Sequence, residues 1–169
     1  MKGLLVSCIA VFLSLGLVSA AENATTCPKD QAVSLLRAYA GKPYWHHFYT
    51  DTAEMNGVVT TPGPYTEELS PAPGTVPFYR TYNPILISHF LTTDLNERDH
   101  AINMLGYEDG GISGYIYPSD FGCSVPLYRL HYGNLEYDYF YTSDAGERDS
   151  AVKDLGFNYE LIVGYILPL

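Results

Sequence analysis

Leu4 to Val18 is an apolar run interrupted only by Ser7, Ser14 and Gly16. Beyond it, apolar and aromatic positions recur in short bursts with two different periods. Val76-Pro-Phe-Tyr-Arg-Thr-Tyr82 is aromatic and β-branched, and proline is tolerated at the first residue of a strand, so it predicts a strand. Asn83-Pro84 marks a turn, and His89-Phe-Leu-Thr92 predicts a second strand. Asp94-Leu-Asn-Glu97 has the form of a capping box, with Asp accepting from the third amide and Glu reaching back to the amide of the cap. A short helix is therefore expected from residue 95. It buries Ala101, Ile102 and Leu105 and stops at Gly106. A Gly-Tyr hairpin and a last strand at Ile112-Ser-Gly-Tyr-Ile-Tyr117 complete a β-β-α-β-β unit.

The unit recurs. Val125-Pro-Leu-Tyr-Arg-Leu-His-Tyr132 repeats the first strand, with Gly133-Asn134 as its turn, and Tyr82 aligns with Tyr132. Tyr139-Phe-Tyr-Thr-Ser-Asp-Ala-Gly-Glu-Arg-Asp149 repeats residues 89–99, giving a second helix from residue 145. Ala151-Val152, Leu155-Gly156-Phe157 and Ile162-Val-Gly-Tyr-Ile-Leu167 follow in order. An eroded copy lies upstream: Val33 to Tyr39, His47-Phe-Tyr-Thr50, then Asp51 and Glu54. Its helix is weakened by Gly57, Val58, Val59 and Pro62, and Pro71 and Pro73 stand where a last strand belongs. The expected organisation is a leader at 1–20, an N-terminal segment at 21–32, and one domain at 33–169. That domain consists of units 33–75 (degenerate), 76–124 and 125–169. Four short strands per unit and three units predict a mainly β fold with short helices. They suggest a single closed pseudo-three-fold domain of β-trefoil type.

The apolar run is short for a membrane span, which needs about 20 residues. Lys2 ahead of it and the small residues Val18-Ser19-Ala20 after it give the form of a secretory signal peptide. The mature form is then extracellular, starts near Ala21 and has no membrane span. Its cysteines reduce to Cys27 and Cys123, an even pair that predicts one disulfide. In the chain-entropy model a loop of roughly 100 residues is worth about 4 to 5 kcal/mol. Asn23-Ala24-Thr25 is an N-glycosylation sequon. With 19 acidic and 9 basic side chains the formal charge is -10, and loss of Lys2 makes the mature form one unit more negative. Nucleic acid is excluded as a partner on that ground.

The chain carries 16 tyrosines. A phenol ring can stack on a sugar face and also hydrogen-bond, or it can fill a small core. Tyr82, Asn83, His89, Tyr115, Tyr132, Tyr137 and Tyr165 are the candidate ligand-binding residues. Tyr44, Trp45 and Tyr137 fall near turns, where exposure is expected. Arg37, Arg80 and Arg129 recur, as do Arg98 and Arg148, and structural ion pairs with Asp99 and Asp149 are the expected role of the last two. His46, His47 and His89 form no zinc set, because adjacent histidines on a strand point to opposite sides and no spaced His or Cys completes the ligands. No cofactor or metal is expected. No nucleophile is evident: Gly111-Ile-Ser113-Gly114-Tyr115 misses the hydrolase elbow by a displaced glycine. Asp94, Glu97 and Asp99 could serve a glycosidase, but they repeat as Asp144, Glu147 and Asp149, whereas a catalytic pair is normally single.

Val-Pro-Leu-Tyr-Arg-Leu, Phe-Tyr-Thr-Ser-Asp-Ala-x-Glu-Arg-Asp, Leu-Gly-Phe and Gly-Tyr together resemble the repeat family of domain of unknown function 5648. The resemblance covers nearly all of residues 33–169 and departs from the family pattern at Leu91, at Tyr139 in place of the usual His, and through the first unit. It implies a fungal-like secreted protein, since the family is common in secreted fungal proteins and is also appended to bacterial surface enzymes. It implies a binding module, for glycans by that context, with no activity attached. The leading expectation is a secreted non-enzymatic module for extracellular or cell-wall carbohydrate. A small secreted protein-binding effector or inhibitor is the alternative, and a glycoside hydrolase is third.

Overall fold

The computed structural model describes residues 36–40, 46–50, 71–133 and 138–168, the first two stretches by their backbone alone. The fold is mainly β with two short helices among the described residues. The upstream unit contributes β1 (Leu36–Ala40) and β2 (His46–Thr50), an antiparallel pair. The middle unit contributes β3 (Val76–Asn83), β4 (Ser88–Thr92), α1 (Leu95–Met104) and β5 (Glu108–Ile116). The last unit repeats these as β6 (Val125–Tyr132), β7 (Asp138–Thr142), α2 (Ala145–Leu155) and β8 (Asn158–Ile166).

Each complete unit is β-β-α-β, one strand fewer than expected. Its sheet runs β4-β3-β5 or β7-β6-β8, all antiparallel. The hairpin expected after each helix is absent. Residues 108–116 and 158–166 instead form one long strand carrying two bulges. Ser113 and Val163 are the extra residues of one bulge, and Gly110-Gly111 opposite Arg80, or Glu160, make the other. An extra residue bends and twists a strand but does not reverse it. Among the described residues the strands form separate sheets and close no barrel, so the trefoil arrangement expected from four strands per unit is not formed by them.

The helices begin and end where the sequence places them. Asp94 Oδ1 accepts from the amides of Asn96 (2.7 Å) and Glu97 (3.4 Å), and Asp144 Oδ1 from those of Gly146 (2.6 Å) and Glu147 (3.2 Å). The capping box is only half realised. The amide of Asp94 donates to Thr92 Oγ1 (3.0 Å), whose hydroxyl donates to Glu97 Oε2 (2.5 Å). Asp144, Thr142 and Glu147 repeat this relay at 3.1 and 2.5 Å. The threonine takes the cap amide, which frees the glutamate for a longer reach. Gly106 and Gly156 take left-handed conformations (φ 75° and 79°) just past the helices, and the amides of Tyr107 and Phe157 bond back to Ala101 and Ala151.

The units are joined by core and by hydrogen bonds. Phe78, Leu91 and Ile116 from the middle unit pack with Leu127, Tyr141 and Val163 from the last. The Tyr141 hydroxyl donates to the Leu91 carbonyl and accepts from the Leu91 amide, both at 2.8 Å. Thr93 Oγ1 donates to the Val163 carbonyl (3.0 Å), and Tyr117 and Tyr165 exchange two backbone bonds (2.9 and 2.8 Å). A Cβ on Gly164 would lie 2.5 Å from Ile116 Cδ1 and 3.0 Å from the Tyr117 carbonyl, which is why the Gly-Tyr-Ile strand approaches its neighbour through glycine.

Candidate functional site

Arg129 occupies the middle of β6 and is 3% exposed. Its guanidinium donates to both carboxylate oxygens of Glu97, in the preceding unit, at 2.9 and 2.7 Å. Its Nε donates to Glu160 at 2.6 Å. Glu160 is the extra residue of a bulge, and the bulge aims it at the arginine. The guanidinium also lies over the rings of Phe90 (5.0 Å) and Tyr139 (6.0 Å). Burial opposes ionisation of both Glu97 and Arg129. Hydrogen bonds from Arg129 and Thr92 outweigh it at Glu97, whose carboxyl is held below the usual range. At Arg129 the Glu97 hydrogen bonds outweigh it, and the guanidinium is held above its usual range. In the middle unit Gly110 stands where Glu160 does, and Arg80 turns to the Gly110 carbonyl (3.3 Å).

The recurrent Arg98 and Arg148 charges are structural, as expected. Arg98 and Arg148 pair with Asp99 (2.5 Å) and Asp149 (2.6 Å) and lie over the rings of Tyr79 (4.8 Å) and Tyr128 (4.5 Å), pinning helix to sheet. With Asp94 and Asp144 as caps and Glu97 and Glu147 in the threonine relays, every carboxylate of the glycosidase reading has a structural partner. Among the described residues no group of three His, Cys, Asp or Glu could hold a metal ion, and no helix is long and apolar enough to cross a membrane.

The candidate ligand residues fall at two ends of the sheets. Tyr82, Asn83, His89 and Tyr132 lie where the β3–β4 and β6–β7 strand pairs turn. Tyr115 and Tyr165 lie at the other end, opposite Pro77 and Pro126, and are half-buried. Tyr137, Tyr44, Trp45, Asn23 and Cys27 lie outside the described residues or side chains. Cys123 is disulfide-bonded. Tyr82 stacks on His89 with ring centroids 4.7 Å apart. The register corrects the expected alignment: Tyr82 pairs with His89, and His131, not Tyr132, pairs with Tyr139. His131 and Tyr139 stack at 5.0 Å with the same 31° tilt, so the two residue types have exchanged strands. Tyr39 opposite His47 gives the upstream unit the same pairing by register. Tyr132 is thus an addition at the end of its strand. It is 37% exposed, against Phe157 (5.3 Å) and close over Gly156.

Asn83 is already engaged. Its Oδ1 accepts from the amides of Ile85 and Leu86 (3.0 Å each), and its Nδ2 donates to the Leu105 carbonyl (3.2 Å). It locks the turn and ties it to the end of α1. That turn, with its aliphatic residues, was not among the expected sites. Ile85 is 89% exposed and Met104 71%, with Ile87 and Leu105 also exposed. Ile87 has φ 53°, a left-handed conformation that a β-branched residue rarely adopts. The signal was present in Pro84-Ile-Leu-Ile87, since turns are ordinarily polar.

A family model described as Domain of unknown function (DUF5648) matches residues 34–167. No curated protein and no solved structure matches the chain.

Proposed function

We propose, for a chain that belongs to the family of the domain of unknown function DUF5648, that it is a secreted, non-catalytic binding module. It carries its ligand at the strand-turn end of its units. The ligand class is extracellular or cell-wall carbohydrate. The observation that supports this most is Tyr132. Its ring stands exposed at that end and is backed by Phe157 and by a glycine backbone, a rigid aromatic face of the kind on which a pyranose stacks. Tyr82 and His89 at the corresponding end of the middle unit are half-buried and stacked on each other, which leaves Tyr132 as the exposed face.

The units are arranged about a pseudo-three-fold axis in this reading, with β2, β4 and β7 innermost. The pairwise approach of these three strands supports it. In the same reading Cys27 is the disulfide partner of Cys123, which ties the N-terminal segment to the end of the middle unit.

The test is a pull-down of the secreted protein on chitin, β-glucan, mannan and cellulose. Retention on at least one, released by the matching soluble oligosaccharide, is the expected result. Protein that is folded by circular dichroism and is retained on none contradicts the proposal.

A further inference from the structure

Tyr132 and Ile85 stand at corresponding ends of two sister units, yet their chemistry differs. An aromatic ring suits a sugar. An aliphatic cluster has no π face and no hydrogen-bonding tip, and is matched by the apolar side chains of another protein. The middle-unit end carries exposed Ile85 and Ile87, the Leu105 carbonyl is tied to it through Asn83, and exposed Met104 ends α1 just before Leu105. Asn83 accepts from the amides of Ile85 and Leu86 and donates to the Leu105 carbonyl, which holds the turn and the helix end together, and Ile87 is fixed in a conformation that the free chain would avoid. Such a surface is preorganised, so little ordering entropy opposes binding.

Its electrostatics select the partner. Glu108 is exposed and lies opposite Tyr82, at the foot of the turn. The last turn of α1 holds no basic residue, so the negative end of the helix dipole is left uncompensated there. The chain as a whole carries -10. A second copy of this chain would meet the same negative field and is disfavoured.

We infer that the Ile85–Ile87 turn and the end of α1 form a docking surface for a basic amphipathic segment of a partner protein, separate from the carbohydrate surface at Tyr132. The segment places its apolar side chains on Ile85, Ile87, Met104 and Leu105, and its cations face Glu108 and the helix end.

The experiment uses the whole secreted protein and two synthetic amphipathic helices of the same length, one of leucine and lysine and one of leucine and glutamate. Binding is read by fluorescence anisotropy at physiological salt. The leucine–lysine helix is expected to bind at least about tenfold more tightly than the leucine–glutamate helix. Ile85→Ser, an exposed and charge-neutral change, is expected to weaken it about tenfold. Ile87→Gly keeps the left-handed turn while removing the side chain and is expected to weaken it as well. Tyr132→Ala leaves it within about twofold, which separates this surface from the carbohydrate reading. Equal binding of both helices, binding unchanged in Ile85→Ser, or no binding overturns the proposal. So does sedimentation of the wild type, but not of Ile85→Ser, with phosphatidylcholine vesicles, which would make the occupant a lipid surface.

Discussion

Ser113 is the extra residue of a bulge on β5, buried, and its hydroxyl has no hydrogen-bond partner among the described residues. The sister unit has Val163 there, packed into the shared core. An unsatisfied buried hydroxyl costs about 1–3 kcal/mol. Ser113→Val is therefore expected to raise the urea midpoint, by about 1 kcal/mol in stability once the added methyl is accommodated. Glu97 gives a prediction in pH. Its carboxyl ionises below its unfolded value, so its contribution to stability is present above the ordinary glutamate range, near about pH 4.3, and is lost as pH falls through the folded value. Glu97→Gln is expected to lower stability at pH 7 and to flatten the acid-side fall, checked by urea titrations at pH 7, 5 and 3. At this scale the capping aspartates, the stop glycines and the Arg98 and Arg148 pairs were legible, because each acts within a few residues of itself. The partners of Arg129 were not, because Glu97 is reached across a unit boundary and Glu160 by way of a bulge that no local pattern announces. Nor was the exchange of Tyr and His between strands, since aligning like with like sent Tyr82 to Tyr132.

At the scale of elements, the helices are short and bury little besides Ala101 and Ala151, so their ends matter more than their faces. Asp144→Ala removes the acceptor of two amides and is expected to cost about 1 kcal/mol, seen as faster hydrogen exchange through α2 and a lower thermal midpoint. The third strand of each unit shows where sequence reading stops. Tyr107-Glu-Asp-Gly-Gly and Phe157-Asn-Tyr-Glu look like turns flanking a strand, by glycine content in one and polarity in the other. Both are long strands with doubled bulges, because pairing with β3 and β6 absorbs the extra residues. The aliphatic residues at 84–87 were passed over although Asn83-Pro84 marked the turn, because no local pattern says that Asn83 binds the amides of Ile85 and Leu86 and holds Ile85 out to solvent.

At the scale of the whole molecule, the repeat was legible because its copies sit in one chain, and the family model confirms the membership that the motifs implied. The way the units join was not, since edge contacts leave no periodicity. Tyr141 carries one such contact, satisfying both backbone groups of Leu91 on the neighbouring edge strand. Tyr141→Phe keeps the ring and loses both bonds. The expected cost is about 1–3 kcal/mol, with the Leu91 amide exchanging faster than its neighbours in β4. In the proposed reading, the function depends on which end of the sheets meets the ligand. The most direct test is a depletion isotherm, on whichever polysaccharide retains the protein, for wild type, Tyr132→Ala and Tyr165→Ala. A loss of about tenfold or more in Tyr132→Ala, with Tyr165→Ala within about twofold and all three equally stable, is what the account predicts. Loss in Tyr165→Ala with Tyr132→Ala unchanged would put the ligand at the opposite end and contradict it.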